Sequence, residues 1–214
     1  MTKLHVFDMD GTLLAGSACL DLSRHMGHLE AVLEVEEAWG RGEVGHVEFY
    51  VLLLDLWQGM TDEDIDTVFA GTAWIDGISA VWADIADRGE HSAVISLSPQ
   101  FFVDRLLTWG LGSAHGAAAH PAVPLIPELV LTPEGKVTIV AELIDRYGLT
   151  KDDCVAYGDS SSDVPLFEYL PNTVAVNGSA AVREVAAVAY DGSDLRAAYA
   201  AGRSLLDRVP GVNR

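Results

Sequence analysis

Apolar residues recur with two different spacings along this chain, and the change of spacing divides it into two parts. From about residue 15 to residue 74, apolar positions lie three or four residues apart, which is typical of helices buried on one face. Beyond residue 77, short apolar runs typical of buried strands alternate with helical stretches. This alternation predicts an α/β fold with a doubly wound parallel sheet. We expect a core of residues 1–14 and 75–214, with a small helical cap, residues 15–74, inserted after the first strand.

The predicted strands of the core end in polar residues. The predicted elements are strand 4–7, helix 77–88, strand 91–96, helix 99–109, an irregular stretch, helix 135–147, strand 154–157, helix 163–170, strand 173–176, helix 179–187 and a last helix from about residue 193. Asp8, Ser96 and Asp159 each lie at the carboxyl end of a predicted strand. Open α/β sheets bind ligands at that edge, so we expect these three side chains to share a site.

The first strand ends in two carboxylates, Asp8 and Asp10, followed by Gly11 and Thr12. In an extended chain, Asp8 and Asp10 share a face about 6.6 Å apart. Two charges at that separation repel by roughly 2.5 kcal/mol at an effective dielectric constant of about 20. A bound cation or a retained proton relieves such repulsion, and phosphoryl transfer uses both. An isolated Asp-x-Asp is also explained by capping of the following turn.

Composition narrows the function classes. The chain has 214 residues, half of them hydrophobic, which suffices for one domain with an insertion. Its 13 basic and 32 acidic residues give a formal net charge of -19, which argues against a nucleic-acid partner. An anionic small substrate would need a metal ion or a few local cations in the site.

The remaining composition predicts a cytoplasmic protein without a membrane partner. Cys19 and Cys154 are distant in sequence and lie in apolar surroundings, which favours free thiols in a reducing compartment. No export signal precedes the first strand. The apolar residues 49–57 are too few to cross a bilayer, so they predict a buried helix or an interface. We accordingly expect a homodimer through the apolar cap surface.

A second group of polar residues follows strand 154–157. Gly158 permits a tight turn, and Asp159 and Asp163 share a face if a helix begins near Ser160. Carboxylates without His or Cys favour Mg²⁺ over zinc. Lys136, in a turn that enters a helix, supplies a candidate point charge for a phosphate, although a single lysine is more often a solvated surface residue.

These four groups of residues resemble the motifs of the haloacid dehalogenase superfamily of aspartyl phosphatases. The first motif is Asp8-Met-Asp-Gly-Thr, the second is Ser96, the third is Lys136, and the fourth is Gly158-Asp-Ser-Ser-Ser-Asp163. They occur in the order of the family. The helical insertion between the first two motifs resembles the C1 cap of the phosphoserine phosphatase-like branch. The resemblance implies a Rossmann-like core and a hydrolase that acts on a small-molecule phosphoester.

The resemblance also implies roles for the residues of the first two motifs. Asp8 is expected to attack phosphorus and form an aspartyl-phosphate. Asp10 is expected to protonate the leaving alcohol and then to activate water. Thr12 is expected to support this acid-base group, while Ser96 and the N–H group of Leu97 hold phosphate oxygens.

The third and fourth motifs complete the implied site. Lys136 is expected to offset negative charge on the phosphate and the nucleophile. Mg²⁺ is expected to bind the Asp8 carboxylate, the backbone carbonyl of Asp10 and Asp159. Asp163 is expected to hold a metal-bound water or to orient Lys136.

The chain departs from the phosphoserine phosphatases where those enzymes bind the substrate. A glutamate that meets the substrate ammonium is replaced here by Ser17, and a cap arginine for the substrate carboxylate is replaced by apolar residues near Leu53; a shifted alignment would bring in Arg41 or Arg24. Ser98 and Gln100 are further candidates for contact with the substrate. A less charged, more apolar leaving group fits this cap better than phosphoserine.

The sequence is also compared with four alternative functions. Phosphoserine hydrolysis itself and a phosphotransferase that passes the phosphoryl group to an alcohol are the enzymatic alternatives. A receiver-like signalling domain also uses Asp, Ser or Thr, Lys and Mg²⁺, but its acidic residues lie on different strands and it lacks a large cap. A silent phospho-ligand binding protein is disfavoured because every expected catalytic residue is present.

Overall fold

Six parallel strands form one sheet in the computed structural model, which describes residues 2–207. The strands are β1 (Leu4–Phe7), β2 (His91–Pro99), β3 (Ser113–Ala117), β4 (Cys154–Gly158), β5 (Thr173–Val176) and β6 (Val188–Tyr190). Their order in the sheet is β3-β2-β1-β4-β5-β6, and each neighbouring pair is parallel. The chain winds outward from β1 in both directions, so the predicted doubly wound sheet is confirmed.

Ten α-helices accompany the sheet among the described residues. They are α1 (Ala18–His25), α2 (Leu29–Gly40), α3 (His46–Leu56), α4 (Asp62–Gly71), α5 (Ile78–Asp87), α6 (Gln100–Val103), α7 (Pro133–Tyr147), α8 (Val164–Tyr169), α9 (Ala180–Val185) and α10 (Leu195–Leu206). Short 3₁₀ segments follow α6 and precede β4 and α8. No helix within residues 2–207 is both long enough and apolar enough to cross a membrane.

The central strands are buried on both faces because helices cover both sides of the sheet. In β1, Phe7 packs into one apolar cluster, while Leu4 and Val6 pack into the other. The cluster around Leu4 and Val6 also contains residues of α7, α8 and α9. The cluster around Phe7 contains residues of α10 and of the helices between β1 and β2, including α5. This arrangement explains why β1 and β4 consist mainly of apolar residues rather than of an alternating sequence.

The segment between β1 and α5 is helical, as the apolar spacing predicts. Helices α1 to α4 occupy it, and Trp57 and Leu53 are fully buried in its interior. Trp57 Nε1 donates a hydrogen bond of 2.8 Å to the Ser23 hydroxyl, which satisfies the buried indole. The division into a cap of residues 15–74 and a core of 1–14 and 75–214 stays a prediction, and residues 1 and 208–214 lie outside the described ones.

Apolar side chains also remain exposed on this helical segment. Leu29 and Leu33 of α2 and Val47 and Val51 of α3 are each more than a third exposed. Residues 49–57 are therefore only partly buried, with Tyr50, Leu53 and Trp57 turned inward. A homodimer through this surface stays a prediction.

The structure contains two strands that are not predicted, and the predicted helix 99–109 is a short α-helix, α6, followed by a 3₁₀ segment. Strand β3 lies in the stretch between α6 and α7, which is predicted to be irregular, and β6 lies between the predicted helix 179–187 and the last predicted helix, where no strand is predicted. Both are short edge strands. Strand β2 also runs to Pro99 rather than ending at Ser96, so Ser96 lies within the strand.

Candidate active site

The candidate site lies where β1 and β4 end side by side at the centre of the sheet. Phe7 pairs with Tyr157, and the backbone N–H of Asp8 donates a hydrogen bond of 2.8 Å to the carbonyl of Tyr157. The connections from β1 and β4 run in opposite directions across the sheet, which opens a crevice at this edge. Asp8 and Asp159 follow these two strands directly, as predicted.

Lys136 connects two of the predicted acids. The Nζ atom donates hydrogen bonds to Asp8 Oδ1 at 2.8 Å and to Asp163 Oδ1 at 2.7 Å, and the lysine is fully buried. Thr132 caps the start of α7, and Pro133 occupies its first turn, so Lys136 enters the site from the first helical turn. The surface-lysine interpretation of Lys136 is therefore excluded by its position.

The charges around Lys136 do not balance. Burial alone would lower the pKa of Lys136, but the charges of Asp163 and Asp8 outweigh burial and hold the pKa above its usual value. Burial and the charge of Asp163 raise the pKa of Asp8, against the opposing effect of Lys136. The same two causes raise the pKa of Asp159 to about 7. One buried ammonium thus leaves the surrounding carboxylates with excess negative charge.

Asp10 is held separately from this ion-pair network. Its Oδ1 accepts a hydrogen bond of 2.7 Å from the N–H of Ala18, the first residue of α1. Its Oδ2 accepts from the hydroxyls of Ser96 at 2.9 Å and Ser98 at 2.7 Å. Burial raises the pKa of Asp10, while these three donors oppose the shift. The carboxyl group is therefore fixed in one orientation beside Asp8 and is favoured as a proton carrier.

Three carboxylates approach one another closely enough to hold one cation. One oxygen each from Asp8, Asp159 and Asp163 lie within 4.8 Å of one another. Asp163 Oδ2 also accepts hydrogen bonds from the N–H groups of Asp159 (3.0 Å) and Ser160 (3.3 Å), which orient the loop after β4. An all-carboxylate donor set suits a hard divalent cation, and such a cation would neutralise the excess charge.

Two glycines make this close approach of acids feasible. A Cβ atom at Gly11 would lie 2.2 Å from Asp159 Oδ2, and Gly11 has a positive φ of 75°. A Cβ atom at Gly158 would lie 2.4 Å from the carboxyl carbon of Asp163. Any other residue at either position would push a carboxylate away, so both motif glycines are required by the packing of the acids.

The other predicted site residues have definite places. Thr12 is buried, and its hydroxyl lies 3.4 Å from Asp159 Oδ1. Leu97 and Ser98 line the cavity above Asp8, whereas Ser96 is fully buried behind it and bonds to Asp10. Gln100 is not among the lining residues; its side chain binds the backbone of β3.

Of the candidate substrate-binding positions in the helical segment, one lines the cavity and the others do not. Ser17 lines the cavity, whereas Leu53 is fully buried in the interior of the helical segment. Arg41 forms exposed ion pairs with Glu37 and Glu43, and Arg24 pairs with Asp21. Neither arginine lines the cavity.

Glu36 enters the cavity from α2, although it is not among the residues predicted for the site. The Ser17 hydroxyl donates a hydrogen bond of 2.9 Å to Glu36 Oε1, and both residues line the cavity. The signal lies in the helical spacing: Val32, Glu36 and Trp39 occupy one face of α2, and Val32 is fully buried. A carboxylate within an apolar stripe is a candidate functional group because burial of an unpaired charge is costly.

The sheet, the acidic loops and the helical segment together define a Rossmann-like hydrolase with helices inserted after its first strand. The family model for haloacid dehalogenase-like hydrolase matches residues 5–168, which is most of the chain. The chain therefore belongs to the haloacid dehalogenase-like hydrolases, as the resemblance of its motifs implied.

Two curated proteins and one solved structure are among those similar to the chain. A phosphoserine phosphatase of Archaeoglobus fulgidus is 26% identical over 86% of this chain and 55% of that protein. A putative hydrolase of Mycobacterium leprae is 31% identical over 87% of this chain and 70% of that protein. A solved structure described as a phospho-aspartyl intermediate analogue of phosphoserine phosphatase has a TM-score of 0.76 at 21% identity, over 92% of this chain and 96% of that one. The chain spans about half the length of two curated relatives that it matches.

Proposed function

We propose that this protein is a Mg²⁺-dependent phosphatase that hydrolyses a small phosphorylated metabolite through an aspartyl-phosphate. The observation that carries the proposal is the placement of Asp8 in the cavity, hydrogen-bonded to buried Lys136, with the carboxyl of Asp10 fixed beside it. A nucleophile, a local cation and a proton carrier are the three groups that phosphoryl transfer to a carboxylate requires.

The two aspartates divide the reaction between them. A carboxylate oxygen of Asp8 attacks phosphorus, the bond from phosphorus to the ester oxygen breaks, and Asp10 gives its proton to the departing alkoxide. Asp10, now ionised, takes a proton from a water molecule that attacks phosphorus and releases Asp8 and inorganic phosphate. Ser96, Ser98 and the N–H of Ala18 keep the Asp10 carboxyl aimed at the leaving oxygen.

The phosphate itself is proposed to lie between Asp8, Lys136 and the end of β2. Lys136 lowers the repulsion between the phosphoryl oxygens and the Asp8 carboxylate. Leu97 and Ser98 line the same cavity, and the N–H of Leu97 is proposed as a further donor, whereas the Ser98 hydroxyl already donates to Asp10. Ser96 is already bonded to Asp10, so its part in phosphate binding would require its hydroxyl to turn.

The metal site is proposed to comprise Asp8, Asp159 and Asp163, with the backbone carbonyl of Asp10. Their carboxylate oxygens and the excess negative charge fit Mg²⁺. When bound, Mg²⁺ would withdraw charge from the phosphoryl oxygens and hold the substrate in line with the nucleophile. Thr12 is proposed to steady Asp159.

Phosphoserine is the second candidate substrate because curated relatives carry that name. The absence of lysine and arginine among the lining residues described for the cavity disfavours a substrate with a second carboxylate. Transfer of the phosphoryl group to an alcohol rather than to water uses the same intermediate, so added alcohols would reveal it through phosphorylated products.

The test is phosphate release from a panel of phosphomonoesters with Mg²⁺. The wild-type enzyme is expected to hydrolyse at least one of them, and Asp8→Asn is expected to reduce turnover by roughly a thousandfold or more while the fold is retained. Asp152→Asn, which changes an exposed aspartate in the 3₁₀ turn before β4, is the matched control and should leave turnover unchanged. Undiminished turnover by Asp8→Asn would overturn the nucleophile assignment.

A further inference from the structure

The cavity above Asp8 is large enough for more than a phosphate. Its volume is about 460 Å³, within the usual range for small-molecule sites. One side of the cavity is formed by α2 and α3, whose lining residues are Glu36, Trp39, Gly40, His46, Phe49 and Tyr50. The leaving group of a bound phosphomonoester would therefore contact one carboxylate and several aromatic rings.

The carboxylate of Glu36 has no cation to balance it. Its one hydrogen bond among residues 2–207 comes from the Ser17 hydroxyl, and it forms no ion pair with the described residues. Burial raises the pKa of Glu36 against the effect of Ser17, and the charges of Asp10 and Asp21 add to the shift. A ligand cation would relieve this cost.

Aromatic rings surround the same space. The Trp39 ring lies 5.6 Å from that of Phe49, and the Phe49 ring lies 5.7 Å from that of Tyr50, measured between centroids. Aromatic faces attract ammonium groups, and most strongly where water is excluded. A carboxylate next to aromatic rings therefore forms a suitable binding site for an organic cation.

The same lining is unsuited to an anionic leaving group. Among the described residues, neither lysine nor arginine lines the cavity. His46 is its one imidazole, but Nε2 is buried without a hydrogen-bond partner in the described part of the chain, so this atom is not presented to a ligand. A substrate carboxylate placed here would meet Glu36 without any compensating charge.

We propose that Glu36 binds an ammonium group of the substrate, and that the substrate is the phosphomonoester of a short amino alcohol without a carboxylate. The spacing supports a short chain: Ala18 N–H binds Asp10, and the hydroxyl of the preceding residue, Ser17, binds Glu36. Asp10, the proton donor for the leaving oxygen, and Glu36, the cation site, are therefore held by two consecutive residues of one turn. This inference rests on the phosphatase function proposed above.

The experiment compares kcat/KM for four esters with Mg²⁺: O-phosphoethanolamine, phosphocholine, O-phospho-L-serine and p-nitrophenyl phosphate, whose organic group carries no charge. The wild type is expected to prefer one of the first two over phosphoserine by about tenfold or more. In Glu36→Gln, the ratio of kcat/KM for that ester to kcat/KM for p-nitrophenyl phosphate should fall by about tenfold, mainly through KM. Glu37→Gln, an exposed neighbour on α2, is the matched control and should leave the ratio unchanged.

The outcomes separate this inference from the function on which it rests. If none of the esters is hydrolysed in an Asp8-dependent manner, the proposed phosphatase function is contradicted. Asp8-dependent hydrolysis of p-nitrophenyl phosphate together with a preference for phosphoserine, or an unchanged ratio in Glu36→Gln, would overturn the ammonium site alone. The wild-type comparison needs no substitution, so a poorly folding variant would not leave the inference untested.

Discussion

Replacing Lys136 by methionine tests how much the buried ion pairs of the candidate site contribute to the free energy of unfolding. Methionine has a similar length and no charge, so the substitution removes the ammonium and little of the volume. Lys136 is fully buried and lies within 2.8 Å of Asp8 and 2.7 Å of Asp163. The variant would therefore bury two carboxylates that have lost their shared partner.

The expected cost follows from these distances. At an effective dielectric constant of about 20, each contact contributes roughly 6 kcal/mol of attraction, most of which offsets the desolvation of the ammonium. Removing one partner of a buried pair typically costs about 3–5 kcal/mol. Domains have a free energy of unfolding of roughly 5–15 kcal/mol, so Lys136→Met should be marginally stable without metal. The melting temperature should fall by roughly 6–20 °C for a chain of this size.

The assay is thermal and urea unfolding, with EDTA or with excess Mg²⁺. Mg²⁺ should stabilise Lys136→Met more than the wild type, because the vacated carboxylates bind the cation without competition from the ammonium. The cost should also be larger at about pH 8 than at about pH 6. Burial and mutual repulsion raise the pKa of Asp8 and Asp159, so the folded variant takes up protons as the pH falls and loses that stabilisation as the pH rises.

Lys3→Met is the control. Lys3 pairs with Asp153 at 2.7 Å, and this pair lies at the amino ends of β1 and β4, opposite the candidate site. That pair is partly exposed, so its loss should cost about 1 kcal/mol or less and should show no dependence on Mg²⁺. If Lys136→Met in EDTA unfolds within about 1 kcal/mol of the wild type, or gains nothing extra from Mg²⁺, the buried ion-pair reasoning is refuted.

Three further predictions concern the metal, the proton carrier and acid stability. Asp159→Ala should raise the Mg²⁺ concentration for half-maximal activity by roughly 10–100-fold, and an unchanged requirement would remove Asp159 from the metal site. Ser98→Ala removes one of three donors to Asp10, so kcat should fall about tenfold with little change in KM; a change confined to KM would instead indicate substrate binding. Burial lowers the pKa of His5 below its usual value of 6.5, so the stability that its neutral form contributes is complete above that pH and is lost as the pH falls. Urea unfolding between about pH 7.5 and about pH 5.5 should show a steeper loss for the wild type than for His5→Phe, and equal slopes would contradict this assignment.

The central strands were predictable because the sheet buries them on both faces. Strand 173–176 agrees with β5 at both ends, and strand 154–157 agrees with β4 to within one residue. The edge strands β3 and β6 were missed for the converse reason. β3 contains only small residues and a histidine, Ser-Ala-His-Gly-Ala, and β6 has three residues. Their pairing depends on neighbours distant in sequence rather than on an apolar run of their own.

The surroundings of Asp10 show how a small error in the predicted end of a strand hides a side-chain contact. Ser96 was expected to be the last residue of its strand, and Ser98 to contact the substrate. Because β2 continues to Pro99, Ser96 and Ser98 occupy the same face two residues apart, and both hydroxyls reach Asp10. Residue types at strand ends indicate that a site exists, whereas the partner of each side chain depends on the register.

Charge links the two ends of the cavity. At the sheet edge, Asp8 and Asp163 bind Lys136, Asp10 and Asp159 line the same cavity as Asp8, and Glu36 adds a further carboxylate on α2. The chain as a whole carries a formal net charge of -19. A phosphoester that carries an ammonium and no carboxylate bears one negative charge fewer than phosphoserine, so the field of the protein opposes its entry less. Mg²⁺ at one end and the substrate's own ammonium at the other would then supply the positive charge that the described lining lacks.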